Sequence, residues 1–194
     1  AFDKKEKKED EIQSELATTG LTYVQMRLPV EKITPEFEEK LRKDVERNIL
    51  KAKIREATLE DIPSVCQVYN RSWMTSCTPY RPLEVDTLKQ IYEYPETIVL
   101  IAKVYGVDAG FAILDFEGPN QEYGVIAGLG VIPRFQRKGL GTVLGMASWD
   151  YFKKKGVKEL RCEVYKDNKA SYDFISSLGF EDFDVKVYKA DDFN

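Results

Sequence analysis

From Lys53 onward, apolar residues recur with two periods, and the switches between them mark out a succession of short elements. Ile54-Arg55-Glu56-Ala57 reads as a strand. Thr58 to Pro63 reads as a turn and helix start, and Val65, Val68 and Tyr69 fall on one face of the helix that follows. Ser72 to Pro82, with Trp73, Met74, Tyr80 and two prolines, predicts a loop of unusual apolar content, and a second helix runs from about Leu83 to Tyr92. Thr97 to Val104 and Phe111 to Phe116 form a hairpin around Gly106 to Gly110. An apolar run ending at Val131 gives way to Pro133, then to a basic, glycine-bearing loop from Gln136 to Gly141. Leu140, Val143, Leu144, Ala147 and Tyr151 keep the spacing of a helical face directly after it. Leu160 to Tyr165 makes a strand with Arg161, Glu163 and Tyr165 on one side. Asp167 or Asn168 caps a helix that ends at Leu178 before Gly179, and Phe183 to Tyr188 alternates as a last strand.

The first 50 residues differ in character. Asp3 to Glu11 are all charged, with Ile12, Leu16 and Gly20 allowing a helix from about Lys4 to Thr18. Leu21 to Leu28 favours a strand, and Pro35 opens a helix in which Phe37, Leu41, Val45 and Ile49 fall four apart. That stripe packs either on the chain's own sheet or on a second copy, which would make a homodimer. The division predicted is an N-terminal extension, 1–50, and a domain over 51–194.

Composition narrows the chemistry. The chain has 194 residues, 43% of them apolar and 12% aromatic, ample for a core. A net charge of −4 argues against a nucleic-acid partner, which needs a basic face. Cys66, Cys77 and Cys162 are too few and too dispersed for a disulfide framework or a zinc site, which fits a reducing cytoplasm. The absence of histidine removes serine–histidine and cysteine–histidine triads and most metalloenzyme designs, so no metal is expected. No stretch approaches the roughly 20 apolar residues of a membrane span, and no membrane partner is expected. Chemistry therefore falls to carboxylates, tyrosines, lysines, amides or water. The loop before the central helix stands out. Its first amides and the positive end of the helix dipole receive phosphate, Gly139 and Gly141 leave room for it, and Arg137 and Lys138 add charge.

Gln136-Arg137-Lys138-Gly139-Leu140-Gly141 resembles the Q/R-x-x-G-x-G/A pyrophosphate loop of the GNAT superfamily, N-acetyltransferases that use acetyl-CoA. The opening Ile54-Arg55-x-Ala57-x-x-Glu60-Asp61-Ile62 and the closing Asn168 with Leu178-Gly179-Phe180 match the same family. Cys162-Glu163-Val164-Tyr165-Lys166-Asp167-Asn168 resembles the L-E-V-R-x-x-N of ribosomal-protein and N-terminal amino acetyltransferases. The resemblance covers Lys53 to about Lys189. It implies an α/β fold, with a mixed, mostly antiparallel sheet splayed at the cofactor site and helices on both faces.

The resemblance also implies site residues. Pantetheine would lie against Leu129, Gly130 and Val131, with Gly128 and Gly130 compatible with a bulge, and the pyrophosphate on Gln136, Arg137, Lys138, Gly139, Leu140, Gly141 and Thr142. Glu163 matches the glutamate that takes a proton from the amine, and partial burial would raise its pKa; otherwise it is a strand glutamate paired with a Lys or Arg. The family's tyrosine general acid is replaced by Ile175. Tyr172, one turn earlier, is the substitute candidate or else a packing residue. Asn168 either reaches the cofactor or only caps its helix. Acceptor contacts fall on Trp73, Tyr80 and Arg81 after the first strand, and on Tyr188 in the last hairpin. Acidic residues near the end, Glu181, Asp182, Asp184, Asp191 and Asp192, attract a cationic amine or are solvated surface. The expected function is transfer of an acetyl group from acetyl-CoA to a primary amine of a protein or peptide, by direct attack in a ternary complex. The alternatives are a polyamine-like small-molecule acceptor, and a degenerate CoA-binding sensor or assembly module.

Overall fold

The computed structural model describes residues 20–48, 50–73 and 82–189. The predicted Lys4 to Thr18 helix, Ile49, Tyr80, Arg81, Asp191 and Asp192 lie outside them. Seven strands of the described residues form one sheet: β1 (Leu21–Pro29), β2 (Lys53–Glu56), β3 (Ile98–Val104), β4 (Val107–Glu117), β5 (Tyr123–Val131), β6 (Glu159–Tyr165) and β7 (Glu181–Tyr188). Among the described residues five α-helices join them: α1 (Pro35–Glu46), α2 (Ile62–Trp73), α3 (Val85–Tyr92), α4 (Leu140–Lys155) and α5 (Lys169–Ser177). The spatial order is β2-β3-β4-β5-β6-β1-β7, antiparallel throughout except for the β5–β6 pair.

The strand order contains the main surprise. β1, from the N-terminal segment, lies between β6 and β7 and pairs antiparallel with both. β7 is therefore not half of a terminal hairpin but an edge strand, and Val185 and Val187 on it are exposed. Alternation gives β1 two faces. Met26 and Leu28 are buried with Leu160, Cys162 and Val164, while Tyr23, Gln25 and Arg27 stand opposite Tyr165, Glu163 and Arg161 on the other face.

Helix boundaries follow local chemistry. Thr34 caps α1 by accepting from the Phe37 N–H at 3.2 Å, with Pro35 in the first turn. Leu41 and Val45 of the predicted stripe are half-buried, and α1 lies against α4 of its own chain rather than on the sheet. Arg42 clasps Asp150 of α4 and Glu38 at 2.8 Å each, and Lys153 reaches Glu38 at 3.0 Å. Ahead of α2, Thr58 and Asp61 form a capping box, and Arg55 donates two 2.7 Å hydrogen bonds to the Asp61 carboxylate.

Several boundaries differ from the sequence expectation. The β3–β4 turn is only Tyr105-Gly106, both at positive φ (50° and 77°), so Val107 to Gly110 belong to the strand. Asp108, which reads as a turn residue, is held in the strand by accepting from the Ser64 hydroxyl at 2.6 Å. Ser72 and Trp73, read as loop, are the last residues of α2.

Candidate active site

The chain turns from β5 into α4 through a loop held on both sides. Pro133–Phe135 makes one 3-10 turn, and the Gln136 side chain donates from Nε2 to the Val131 carbonyl at 2.8 Å, folding the loop back onto the strand end. Arg137 and Gly139 both take positive φ (60° and 83°), and the side chains of Arg137 and Lys138 are exposed. Gly139 occupies the N-cap position of α4, and no side chain caps that helix. Val143 N–H is the first amide of the helix to bond back, to the Gly139 carbonyl at 3.2 Å. The amides of Leu140, Gly141 and Thr142 before it are therefore the donors an α-helix leaves without internal partners. They point the same way as the positive end of the dipole, which is where an anion is held.

A residue that sequence reasoning missed braces this loop. Asn48, just past α1, donates from Nδ2 to the Lys138 carbonyl at 2.9 Å and accepts from the Leu50 N–H at 2.9 Å. A Cβ on Gly139 would stand 2.5 Å from Asn48 Nδ2, so the glycine and the asparagine fit each other. Nothing in the sequence singles it out, since it follows two other polar residues, Glu46 and Arg47, at the end of the helical stripe.

Beside the loop the sheet splits. β5 and β6 pair only from Tyr123 to Val125 opposite Glu159 to Arg161, and from Ile126 on the two strands part. A register shift against β4, with Ile113 opposite Gly128 but Leu114 opposite Ile126, leaves Ala127 as the extra residue of a bulge at the fork. Gly130 stays in register opposite Phe111; its Cβ would stand 2.5 Å from Ser72 Oγ and 2.7 Å from the Phe111 ring, so packing against α2 requires the glycine there. The fork opens into a cleft of about 740 Å³. Val125 to Leu129 line one wall, Asn168, Phe174 and Ile175 the α5 side, and Tyr23, Tyr69 and Trp73 the face toward α2. Of the predicted cofactor residues, Leu129 and Asn168 line this cleft. Gly130 and Val131 continue the same open strand beyond it, toward the loop.

Glu163 sits in this cleft on β6. It is exposed, not partly buried, and its partners are neither lysine nor arginine: Gln25 Nε2 donates to Oε2 at 3.0 Å and the Tyr188 hydroxyl to the same oxygen at 2.8 Å. Tyr23 packs between Tyr165 (5.7 Å between ring centroids) and Tyr188 (5.4 Å). Burial first, then the nearby Glu163 carboxylate, push the Tyr23 phenol up to about 12, so it stays a neutral donor beside the carboxylate. Trp73 and Tyr188 thus reach the same cleft as Glu163, whereas Tyr80 and Arg81 lie outside the described residues.

Tyr172 does not join them. Its hydroxyl donates to Asp182 of β7 at 2.7 Å and the residue is absent from the cleft lining, because three residues back on α5 turns the side chain toward the neighbouring strand. Ile175 lines the cleft in the position expected of it. Asn168 is buried and caps α5, accepting from the Ser171 N–H at 3.1 Å. Cys162 faces away from Glu163, and burial raises its thiol to about 12, which removes it as a nucleophile. The Cys66 thiol is likewise raised by burial and donates to the Leu83 carbonyl. No helix among the described residues is long and apolar enough to cross a membrane.

The arrangement sets an uncapped helix start at one end of an open strand edge and a carboxylate at the fork where that edge begins. Residues 62–180 match the Acetyltransferase (GNAT) family. Over 103 residues, 53% of this chain and 26% of the relative, the chain is 33% identical to the mycothiol acetyltransferase of Renibacterium salmoninarum. Over 57 residues, 29% of this chain and 38% of the relative, it is 37% identical to N-alpha-acetyltransferase 30 of Schizosaccharomyces pombe. The chain thus spans well under half the length of these relatives. Among solved structures, a tandem GNAT protein from the clavulanic acid biosynthesis pathway superposes with a TM-score of 0.66 at 16% identity, over 88% of this chain and 53% of that one. With its central segment matched from α2 to the end of α5, the chain belongs to the acetyltransferase (GNAT) family, whose co-substrate is acetyl-CoA.

Proposed function

We propose that the chain transfers the acetyl group of acetyl-CoA to a primary amine by direct attack in a ternary complex. The observation that carries this is Glu163, a carboxylate standing in the cleft where β5 and β6 part, with the uncapped start of α4 at the far end of the same open strand. The amides of Leu140, Gly141 and Thr142, with the exposed Arg137 and Lys138 in the same loop, suit the diphosphate; the edge that β6 leaves open from Ile126 toward Val131 suits the pantetheine amides. CoA supplies the activated acyl group as a thioester. Glu163 takes the first proton from the acceptor ammonium, the amine nitrogen bonds to the acetyl carbon, and the carbon–sulfur bond breaks to a thiolate; the second proton, which the nitrogen sheds on becoming an amide, passes to that thiolate, so that the thiol is released. With both described cysteines held as thiols, direct attack needs no acyl-enzyme.

The preferred acceptor is a peptide or protein amine. Support comes from the Leu160 to Asn168 motif, the aromatic wall of Tyr23, Tyr69, Trp73 and Tyr188, and the stretch shared with an N-alpha-acetyltransferase. A small-molecule amine is the second reading, favoured by the longer stretch shared with a mycothiol acetyltransferase. Acetyl-CoA turnover with a peptide pool and an amine pool, products identified by mass spectrometry, separates them. Acetylated peptide is the expected product. Product only from the amine pool moves the acceptor to the second reading, and CoA binding without product from either refutes the enzyme.

A further inference from the structure

Glu163 is exposed, and an exposed glutamate on a strand would ordinarily sweep through several rotamers; here two donors meet at one of its oxygens. Both come from outside β6. Gln25 is its direct cross-strand neighbour on β1, and Tyr188 reaches over β1 from β7, with its ring edge against Tyr23. The Gln25 amide nitrogen, not its oxygen, must face the carboxylate, since two oxygens there would repel. Residue 25 also lies before the segment 62–180 that carries the family match, so the strand wedged between β6 and β7 brings this contact from outside that segment.

We propose that Gln25 is a positioning residue for the base: with Tyr188 it fixes the Glu163 carboxylate through Oε2 and so aims the other oxygen, Oε1, at the acceptor nitrogen. This rests on Glu163 being the base. β1 then serves both faces of the sheet, Met26 holding the core side while Gln25 sets the reactive group on the other. Misplacing a catalytic group by about 1 Å costs up to roughly 100-fold in rate. Loss of one of two anchors is expected to cost about tenfold, because the Tyr188 hydroxyl still restrains the carboxylate.

The test is a double-mutant cycle on the full chain. Gln25→Leu removes the donor; Gln25→Asn keeps an amide but falls one methylene short, guarding against a loss caused only by changed polarity. Each is measured for kcat and KM in the wild-type and Glu163→Gln backgrounds, with CoA affinity measured alongside. The expected result is a fall in kcat of about tenfold in the wild-type background with CoA affinity unchanged, shrinking to less than about twofold in Glu163→Gln. Equal losses in both backgrounds, or no loss in the first, overturn the positioning role while leaving the base assignment intact. A Glu163→Gln chain that turns over within about threefold of wild type overturns the base assignment and the positioning role together.

Discussion

Gly139→Ala is the substitution on which the anion loop can be read most sharply. Gly139 has φ 83°, and an alanine held there costs roughly 1–2 kcal/mol because its Cβ crowds the backbone in left-handed conformations. The new Cβ would also stand 2.5 Å from Asn48 Nδ2, at the end of a flexible side chain, so Asn48 swings away and its 2.9 Å bond to the Lys138 carbonyl is lost. A hydrogen bond of this kind contributes about 1 kcal/mol net. The total is about 2–3 kcal/mol, and the loop escapes it by rearranging, which moves the very amides assigned to the diphosphate. If that energy falls on the bound loop, CoA affinity drops by roughly 30- to 150-fold. Gly156→Ala is the matched control. It lies at the other end of α4 with φ 71°, and its Cβ would meet nothing within 4 Å, so it bears the backbone cost alone. Calorimetric titration with CoA and urea unfolding, run on both variants, separate the two effects. The expectation is lowered stability in both and weakened CoA binding only in Gly139→Ala. Equal CoA affinity in the two variants would refute the assignment of this loop to the diphosphate.

Three further outcomes follow from the same geometry. Met26 is fully buried on the core side of β1, so Met26→Ala is expected to lose about 2–5 kcal/mol in urea unfolding; a loss under about 1 kcal/mol contradicts β1 as an integral strand. Cys162→Ala is expected to keep kcat within about twofold of wild type, with no acetyl group found on the intact chain by mass spectrometry after mixing with acetyl-CoA; an acetylated cysteine contradicts direct attack. Hydrogen bonds from Arg55, then from the Thr58 backbone, hold the Asp61 carboxyl below the usual carboxylate range. A lowered folded-state pKa gives stabilisation that is complete above an unfolded-state value of about 4 and is lost as pH falls below it. Asp61→Asn should therefore trail wild type by about 1 kcal/mol at neutral pH, a modest figure because Arg55 is half exposed, and the gap should narrow steadily as pH falls below about 4. A gap that is unchanged in acid contradicts the ion pair as its source.

What could be read from residues alone tracks how local the cause is. The turn into α4, the Asn168 cap and the alternation that puts Glu163 opposite Cys162 are set within a few residues, and each appears where the pattern puts it. Gln25, and the bond that ties Tyr188 to Glu163, are not legible in the sequence because both contacts depend on β1 entering between β6 and β7, a pairing across more than a hundred residues that no periodicity encodes. Tyr172 stays open between two readings in the sequence for the opposite reason. Neighbouring faces of a short helix look equivalent in sequence, yet one fronts the cleft through Ile175 and the other fronts β7, where Asp182 takes the phenol. Gly130 reads as freedom for a bulge, and its actual cause is the approach of Ser72 and Phe111 from α2 and β4.

The central claim is that main-chain nitrogens at the start of α4 hold the diphosphate while the thioester reaches the fork beside Glu163. A crystal structure of the chain with CoA tests it most directly. The account predicts diphosphate oxygens within hydrogen-bond distance of the amides of Leu140, Gly141 and Thr142, and the sulfur in the cleft that Glu163 lines. Diphosphate bound away from these amides, or a sulfur end outside that cleft, would contradict it.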